Sequence, residues 1–219
     1  MSDLWVFGYG SLMWRPGFPS LERQQASLAG LHRSLCVYSH VHRGTPERPG
    51  LVLGLDRGGS CRGVAFRVGA GERDSVIAYL RERELVTSVY VEQSLPVVLD
   101  ENGATVPAIA YVVDRAHGQY AGELPYDRVL AMVRDGEGRS GANRDYVLQT
   151  AAHLKELGIA DPLLSRLAAD LGQVPAPPSG GNGQPFLSRE VVDGRAPGER
   201  RSGEEVDEHH SPPADDIPE

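Results

Sequence analysis

The chain has 219 residues, with 22 basic and 30 acidic side chains and a formal charge of −8. That length is ample for one domain core, and a net acidic chain lacks the basic face that non-specific nucleic-acid binding requires. No run approaches the ~20 apolar residues of a membrane span, and no basic segment followed by an apolar stretch opens the chain, so no membrane contact and no secretory signal are expected. In chain order, residues 4–7 read as a buried strand that breaks into a loop with glycines at alternate positions, Gly8 and Gly10. Residues 28–41 read as a long strand and 44–50 as a Pro/Gly loop. Residues 51–55 read as a further strand, 56–60 as a turn, and 61–68 as the returning arm of a hairpin. Residues 72–85 read as a helix with Glu72 and Asp74 at its positive end. Strand-like residues 89–99 and 105–113 are joined by Asp100-Glu101-Asn102-Gly103, a hairpin turn.

The pattern then turns helical. Pro125 opens one segment that Gly136 closes. A second spans residues 141–157, with Tyr146, Val147, Thr150, Leu154 and Leu157 as its buried stripe and Gly158 as its cap. Residues 162–171 form a last short helix. Strands first and helices later give an α+β class instead of a βαβ alternation. From Gln173 onward lie half of the 16 prolines, ten acids and four arginines; this net −6 leaves −2 for the preceding 172 residues. Such a segment cannot bury enough surface to offset its ordering entropy. The expected organisation is a domain over 1–172 and a disordered acidic, Pro/Gly-rich tail over 173–219. His209 and His210, adjacent in that tail, read as solvated and not as metal ligands.

Glu84 is the strongest candidate for chemistry. On a helix over 72–85, Val76, Leu80 and Glu84 share the i, i+4, i+8 row, whereas Glu82 joins the polar row of Ala78 and Asp74. A carboxyl on a core-facing stripe has a raised pKa and suits proton transfer near neutrality. The competing role is a helix-end acid paired with Arg81 or Arg83. The loop from Gly8 to Leu12 either ends a strand tightly or aims backbone N–H groups at one oxygen. Ser11 does not sit in a nucleophile elbow, because position 13 is methionine and not glycine, and no His/Asp spacing supports a triad. His40 and His42 alternate at a strand end without a third ligand nearby. Arg43 either binds a carboxylate or braces its loop. Tyr90 is a candidate pocket wall, and Tyr146 reads as core. Cys36 and Cys61 are too few for a disulfide framework and read as small core hydrophobes in a reducing cytoplasm.

Four segments carry a resemblance. Residues 7–18, Phe-Gly-Tyr-Gly-Ser-Leu-Met-Trp-Arg-Pro-Gly-Phe; His42-Arg43-Gly44 with Pro49-Gly50; Arg83-Glu84; and Ser140-Gly141-Ala142-Asn143-Arg144-Asp145-Tyr146 resemble, in order, the segments of ChaC-like γ-glutamylcyclotransferases. The resemblance implies a small, mixed, partly closed β-barrel surrounded by helices. It implies cleavage of glutathione into 5-oxoproline and cysteinyl-glycine, with Glu84 as the catalytic acid/base and Val6, Phe7, Gly8, Tyr9, Gly10, Ser11 and Leu12 holding the γ-glutamyl group. The substrate's own amine is the nucleophile, so neither metal nor organic cofactor is expected, and no obligate protein partner. Other γ-glutamyl amines or dipeptides as substrates, or a noncatalytic regulatory role on the same fold, are the alternatives. Where some relatives carry Gly-Gly between the Glu and the Tyr, this chain has residues 85–89, Leu-Val-Thr-Ser-Val.

Overall fold

A computed structural model describes residues 2–85 and 87–173; the expected tail, apart from Gln173, lies outside them. The elements in order are β1 (Leu4–Gly8), a 3-10 turn over Ser11–Met13, β2 (Glu22–Ser39), β3 (Gly50–Val68), α1 (Arg73–Glu84), β4 (Tyr90–Leu99), β5 (Thr105–Val113), α2 (Tyr126–Asp135), β6 (Glu137–Gly138), β7 (Gly141–Ala142), α3 (Asn143–Glu156) and α4 (Pro162–Gln173). The strands close into a barrel in the order β1-β3-β2-β4-β5. Pairing is antiparallel except where β5 meets β1 and β3. Large apolar side chains pack on the faces of its sheet in one core, among them Phe7, Leu28, Leu51, Leu55, Phe66 and Tyr111, with Leu80 of α1, all under 2% exposed. This is the mixed barrel with surrounding helices expected above.

Two strand assignments differ from the sequence reading. Residues 56–60 do not turn: β3 runs unbroken from Gly50 to Val68 and pairs with β2 along its length. Gly58 and Gly59, at φ +98° and +66°, lie across from Gly30 at φ +83°. The register shifts there between Ala29 and Leu31. The glycines absorb a bulge instead of reversing the chain. Likewise β2 begins at Glu22, six residues before the apolar run, because Glu22 to Gln25 pair in register with Arg67 to Val64; ladder bonds and not apolar alternation place them. The strands β6 and β7 have two residues each, too short to carry a periodicity in the sequence.

The helical region follows its sequence signals. Val147, Thr150 and Leu154 of α3 are buried. Gly158 at φ +66° closes the helix, with Gly158 N–H donating to the Lys155 carbonyl at 3.0 Å and Ile159 N–H to that of Leu154 at 2.8 Å, the paired bonds of a Schellman motif. Leu164, Leu167 and Leu171 bring the apolar face of α4 into the same core.

One departure from a complete barrel positions the site. β1 is wedged between β3 and β5 but stops at Gly8. Beyond it, β3 and β5 meet at a single register pair, Leu55 with Val112. The sheet is open where the Gly8–Leu12 loop departs.

Candidate active site

Tyrosine hydroxyls fill the opening left by β1. Tyr90 donates to the Leu53 carbonyl at 2.7 Å, and Leu53 N–H donates to the Tyr146 hydroxyl at 3.3 Å, so both backbone groups of Leu53 that lack a strand partner on that side are met by phenols. Tyr9 donates to the Tyr111 carbonyl at 2.9 Å, while its own carbonyl accepts from Arg33 Nε at 2.6 Å. Tyr9 is thereby pinned at both ends. Burial, and then the neighbouring phenols and Glu84, hold Tyr9 and Tyr90 well above their ordinary pKa, and burial first raises Tyr146 to about 12. The walls they form are neutral. A cavity of about 400 Å³ opens beside them, lined by Tyr9, Gly10, Ser11 and Leu12 on one side and Glu84, Tyr90 and Tyr146 on others. The Ser11–Met13 turn starts at Gly10, and the first N–H groups of such a turn have no partner inside it.

Glu84 reaches the cavity from the last turn of α1, whose row-mates Val76 and Leu80 are buried while Asp74 and Glu82 face solvent. Its side chain is 20% exposed and accepts from Arg83 Nε at 3.1 Å. Burial raises its pKa above the ordinary carboxylate value, and Arg83 opposes that rise. Arg83 does more than pair with it. Its Nη2 donates to Ser11 Oγ at 3.1 Å, and its Nη1 to the Arg15 carbonyl at 2.6 Å and the Tyr79 hydroxyl at 3.0 Å. One guanidinium thus fastens the glycine loop, the segment behind it and the carboxylate to one helix end. Gly17, at φ +74°, makes room for this: a Cβ there would lie 2.0 Å from the Tyr79 hydroxyl. Ser11 Oγ accepts from a guanidinium that cannot take its proton.

The remaining wall joins segments distant in sequence. Arg139 and Ser140 N–H donate to the carbonyls of Val41 and His42 at 2.8 and 2.9 Å, and His42 Nδ1 hydrogen-bonds Ser140 Oγ at 3.0 Å. Glycines permit the contact: a Cβ on Gly50 would meet the Arg43 carbonyl at 2.1 Å, and one on Gly138 the Val41 carbonyl at 2.5 Å. Asn143, fully buried, acts as a strand partner for β3, accepting from Leu51 N–H and donating to its carbonyl, both at 2.7 Å. Three residues along α3, Tyr146 meets Leu53, two residues along β3. Arg43 lies over the Tyr146 ring at 5.4 Å and donates to the Ala142 carbonyl at 3.2 Å. Among the described residues no cluster of three or more His, Cys, Asp or Glu side chains is placed to hold a metal.

The profile of the ChaC-like protein family matches residues 4–173. The chain belongs to the ChaC-like family. It is 33% identical to the glutathione-specific γ-glutamylcyclotransferase of Escherichia coli (strain K12), over 75% of this chain and 71% of that one. It is 31% identical to glutathione-specific γ-glutamylcyclotransferase 1 of Homo sapiens, over 71% of each. A crystal structure of a γ-glutamylcyclotransferase specific to glutathione from yeast superposes with a TM-score of 0.71 at 21% identity, covering 78% of this chain and 96% of that one; it bears on the fold.

In this ChaC-like chain, Glu84 and the loop residues Tyr9, Gly10, Ser11 and Leu12 come together around one cavity. Val6, Phe7 and Gly8 do not line it: they are buried in β1, Val6 and Phe7 on opposite faces of the strand, and they set the direction in which the loop leaves. Arg43 and Tyr90 line the cavity. Tyr146 lines it too, although its place on an apolar stripe reads as core. The stripe is real, but the hydroxyl at its edge reaches Leu53. Sequence reasoning gave no role to Asn143, Arg33, Arg15 or Tyr111. Asn143 and Arg33 bond to backbone groups far off in the chain, and no periodicity marks a polar residue of that kind. Among the described residues no helix is long and apolar enough to cross a membrane.

Proposed function

We propose that this chain is a glutathione-specific γ-glutamylcyclotransferase, converting glutathione to 5-oxoproline and cysteinyl-glycine. The observation that carries it is Glu84. It is a half-buried carboxyl of raised pKa, tied through Arg83 to the Ser11 loop of a ChaC-like chain. As carboxylate, Glu84 takes a proton from the α-ammonium of the glutamyl residue. The freed amine attacks the γ-carbonyl, and backbone N–H groups of the Gly10–Leu12 loop face the developing oxyanion. The protonated Glu84 then delivers its proton to the departing cysteinyl nitrogen. The surplus proton on the ring nitrogen follows to the same amine, which leaves as an ammonium, so the protons balance. Holding the glutamyl chain folded makes the attack intramolecular, which supplies much of the acceleration.

The free thiols of Cys36 and Cys61, both buried, support a reducing cytoplasm as the working compartment. Incubating the protein with reduced glutathione and measuring 5-oxoproline tests the reaction. Turnover of γ-glutamyl-alanine as efficient as that of glutathione would remove the substrate assignment and leave the reaction class. No 5-oxoproline from either would remove both.

A further inference from the structure

Three arginines and one glutamate line the cavity, and Arg83 neutralises Glu84. The other two, Arg15 and Arg43, form no ion pair among the described residues. The Arg43 side chain gives one hydrogen bond, to the Ala142 carbonyl, and its planar head lies over the Tyr146 ring. Its remaining N–H donors are free among the described residues. Arg15 is held at its backbone, where its carbonyl accepts from Arg83. Arg15 and Arg43 line the same cavity; burial depresses the Arg43 pKa, Tyr146 and Asp145 oppose that fall, and the like charge of Arg15 adds to it. A guanidinium that remains charged, partly desolvated and beside a like charge is relieved by an anion.

We propose that Arg15 and Arg43 form a carboxylate subsite that takes the C-terminal carboxylate of the peptide beyond the scissile bond. This rests on the reaction proposed above. The α-amine and α-carboxylate of the glutamyl residue share one carbon, so the α-carboxylate must lie where Glu84 reaches the amine, beside the glycine loop. Arg83 there has its Nε on Glu84, its Nη1 shared among Tyr79 and two backbone carbonyls, and one Nη2 N–H on Ser11, which leaves a single N–H for that carboxylate. The leaving peptide needs its own anchor, and a cavity of about 400 Å³ extends past the loop to Arg15, Arg43, His42 and Ser140. Two further residues span up to about 7 Å when extended. The subsite selects γ-glutamyl peptides ending in a free carboxylate over γ-glutamyl amines.

The experiment compares glutathione with its glycine monoethyl ester, which differs at that carboxylate alone. The wild-type protein should favour the free acid in kcat/KM by about 10- to 100-fold, the range of charge-assisted hydrogen bonds. In Arg15→Met and in Arg43→Met that ratio should fall toward one, and Arg43→Lys should retain part of it. Arg15 is exposed, so its variant tests the point even if Arg43→Met folds poorly. Calorimetric titration of the Glu84→Gln protein with both compounds reads the same discrimination without turnover. 5-Oxoproline formed equally fast from acid and ester overturns the subsite and leaves the reaction standing. Arginine variants that lose acid and ester alike place the pair on the α-carboxylate and overturn it as well. Tighter calorimetric binding of the acid with no 5-oxoproline from either compound supports the subsite while the reaction fails.

Discussion

At the scale of single residues, Glu84 and Arg83 divide the work. Glu84→Gln preserves volume and one hydrogen bond but cannot accept a proton. We expect it to lower kcat by about 10²- to 10⁴-fold, the usual range for losing a general acid/base, with the melting temperature nearly unchanged. A folded Glu84→Gln protein turning over at the wild-type rate would end the assignment. The pH dependence follows from the same carboxyl. Its base form is the anion, and burial raises its pKa, so the acidic limb of kcat/KM should lie above the ordinary carboxylate range. The groups facing it from other elements are the phenols of Tyr9, Tyr90, Tyr111 and Tyr146, all with raised pKa and so neutral across that range. Arg83 is the neighbour that lowers the Glu84 pKa. Arg83→Met should therefore move the acidic limb to higher pH, and Arg83→Lys, keeping the charge, should move it less. An unmoved limb in Arg83→Met would mean that the ion pair does not tune the base.

At the scale of elements, the joint between β3 and the first turn of α3 deserves a test of its own. Asn143 supplies one donor and one acceptor to Leu51, in the core, where neither backbone group has another partner on that side. Asn143→Asp keeps the shape and the acceptor but turns the donor into an oxygen facing the Leu51 carbonyl. A buried unmet pair of this kind costs about 2–4 kcal/mol. For a domain of this size that is a fall of about 5–15 °C in melting temperature. A fall of under 2 °C would show that α3 is held on the barrel by its apolar stripe alone. The same joint aligns Tyr146 with Leu53, so weakening it should also raise KM by displacing one cavity wall.

At the scale of the molecule, the boundary of the working domain is a proposal. The apolar face of α4 ends at Leu171, buried against the rest of the core, and α4 itself ends at Gln173. The acidic, proline-rich sequence that follows offers few apolar residues, chiefly Phe186-Leu187 and Val191-Val192. A protein ending at residue 173 should keep its melting temperature within about 2 °C and its kcat/KM within about twofold, because so few apolar side chains bury little area. A large loss in either would make those two pairs part of the enzyme.

Local chemistry alone determined much of this molecule. The β1 strand and its glycine loop, the inward row of Val76, Leu80 and Glu84, the hairpin of β4 and β5 and the caps of α2 and α3 all follow from periodicity and turn chemistry within a few residues. The resemblance of four segments supplied the fold and a reaction. Tertiary structure decided that those segments share one cavity. β1 ends early, which opens the barrel between β3 and β5, and three tyrosines, Tyr9 of the loop, Tyr90 of β4 and Tyr146 of α3, meet backbone groups left bare there. It also decided that Gly58 and Gly59 bulge instead of turning, since only the β2 ladder on the other side of the strand tells a bulge from a hairpin. The roles of Arg33, Asn143 and Tyr146 were illegible for the same reason. Each is a polar group whose partner is fixed by the closing of the barrel and not by its neighbours along the chain.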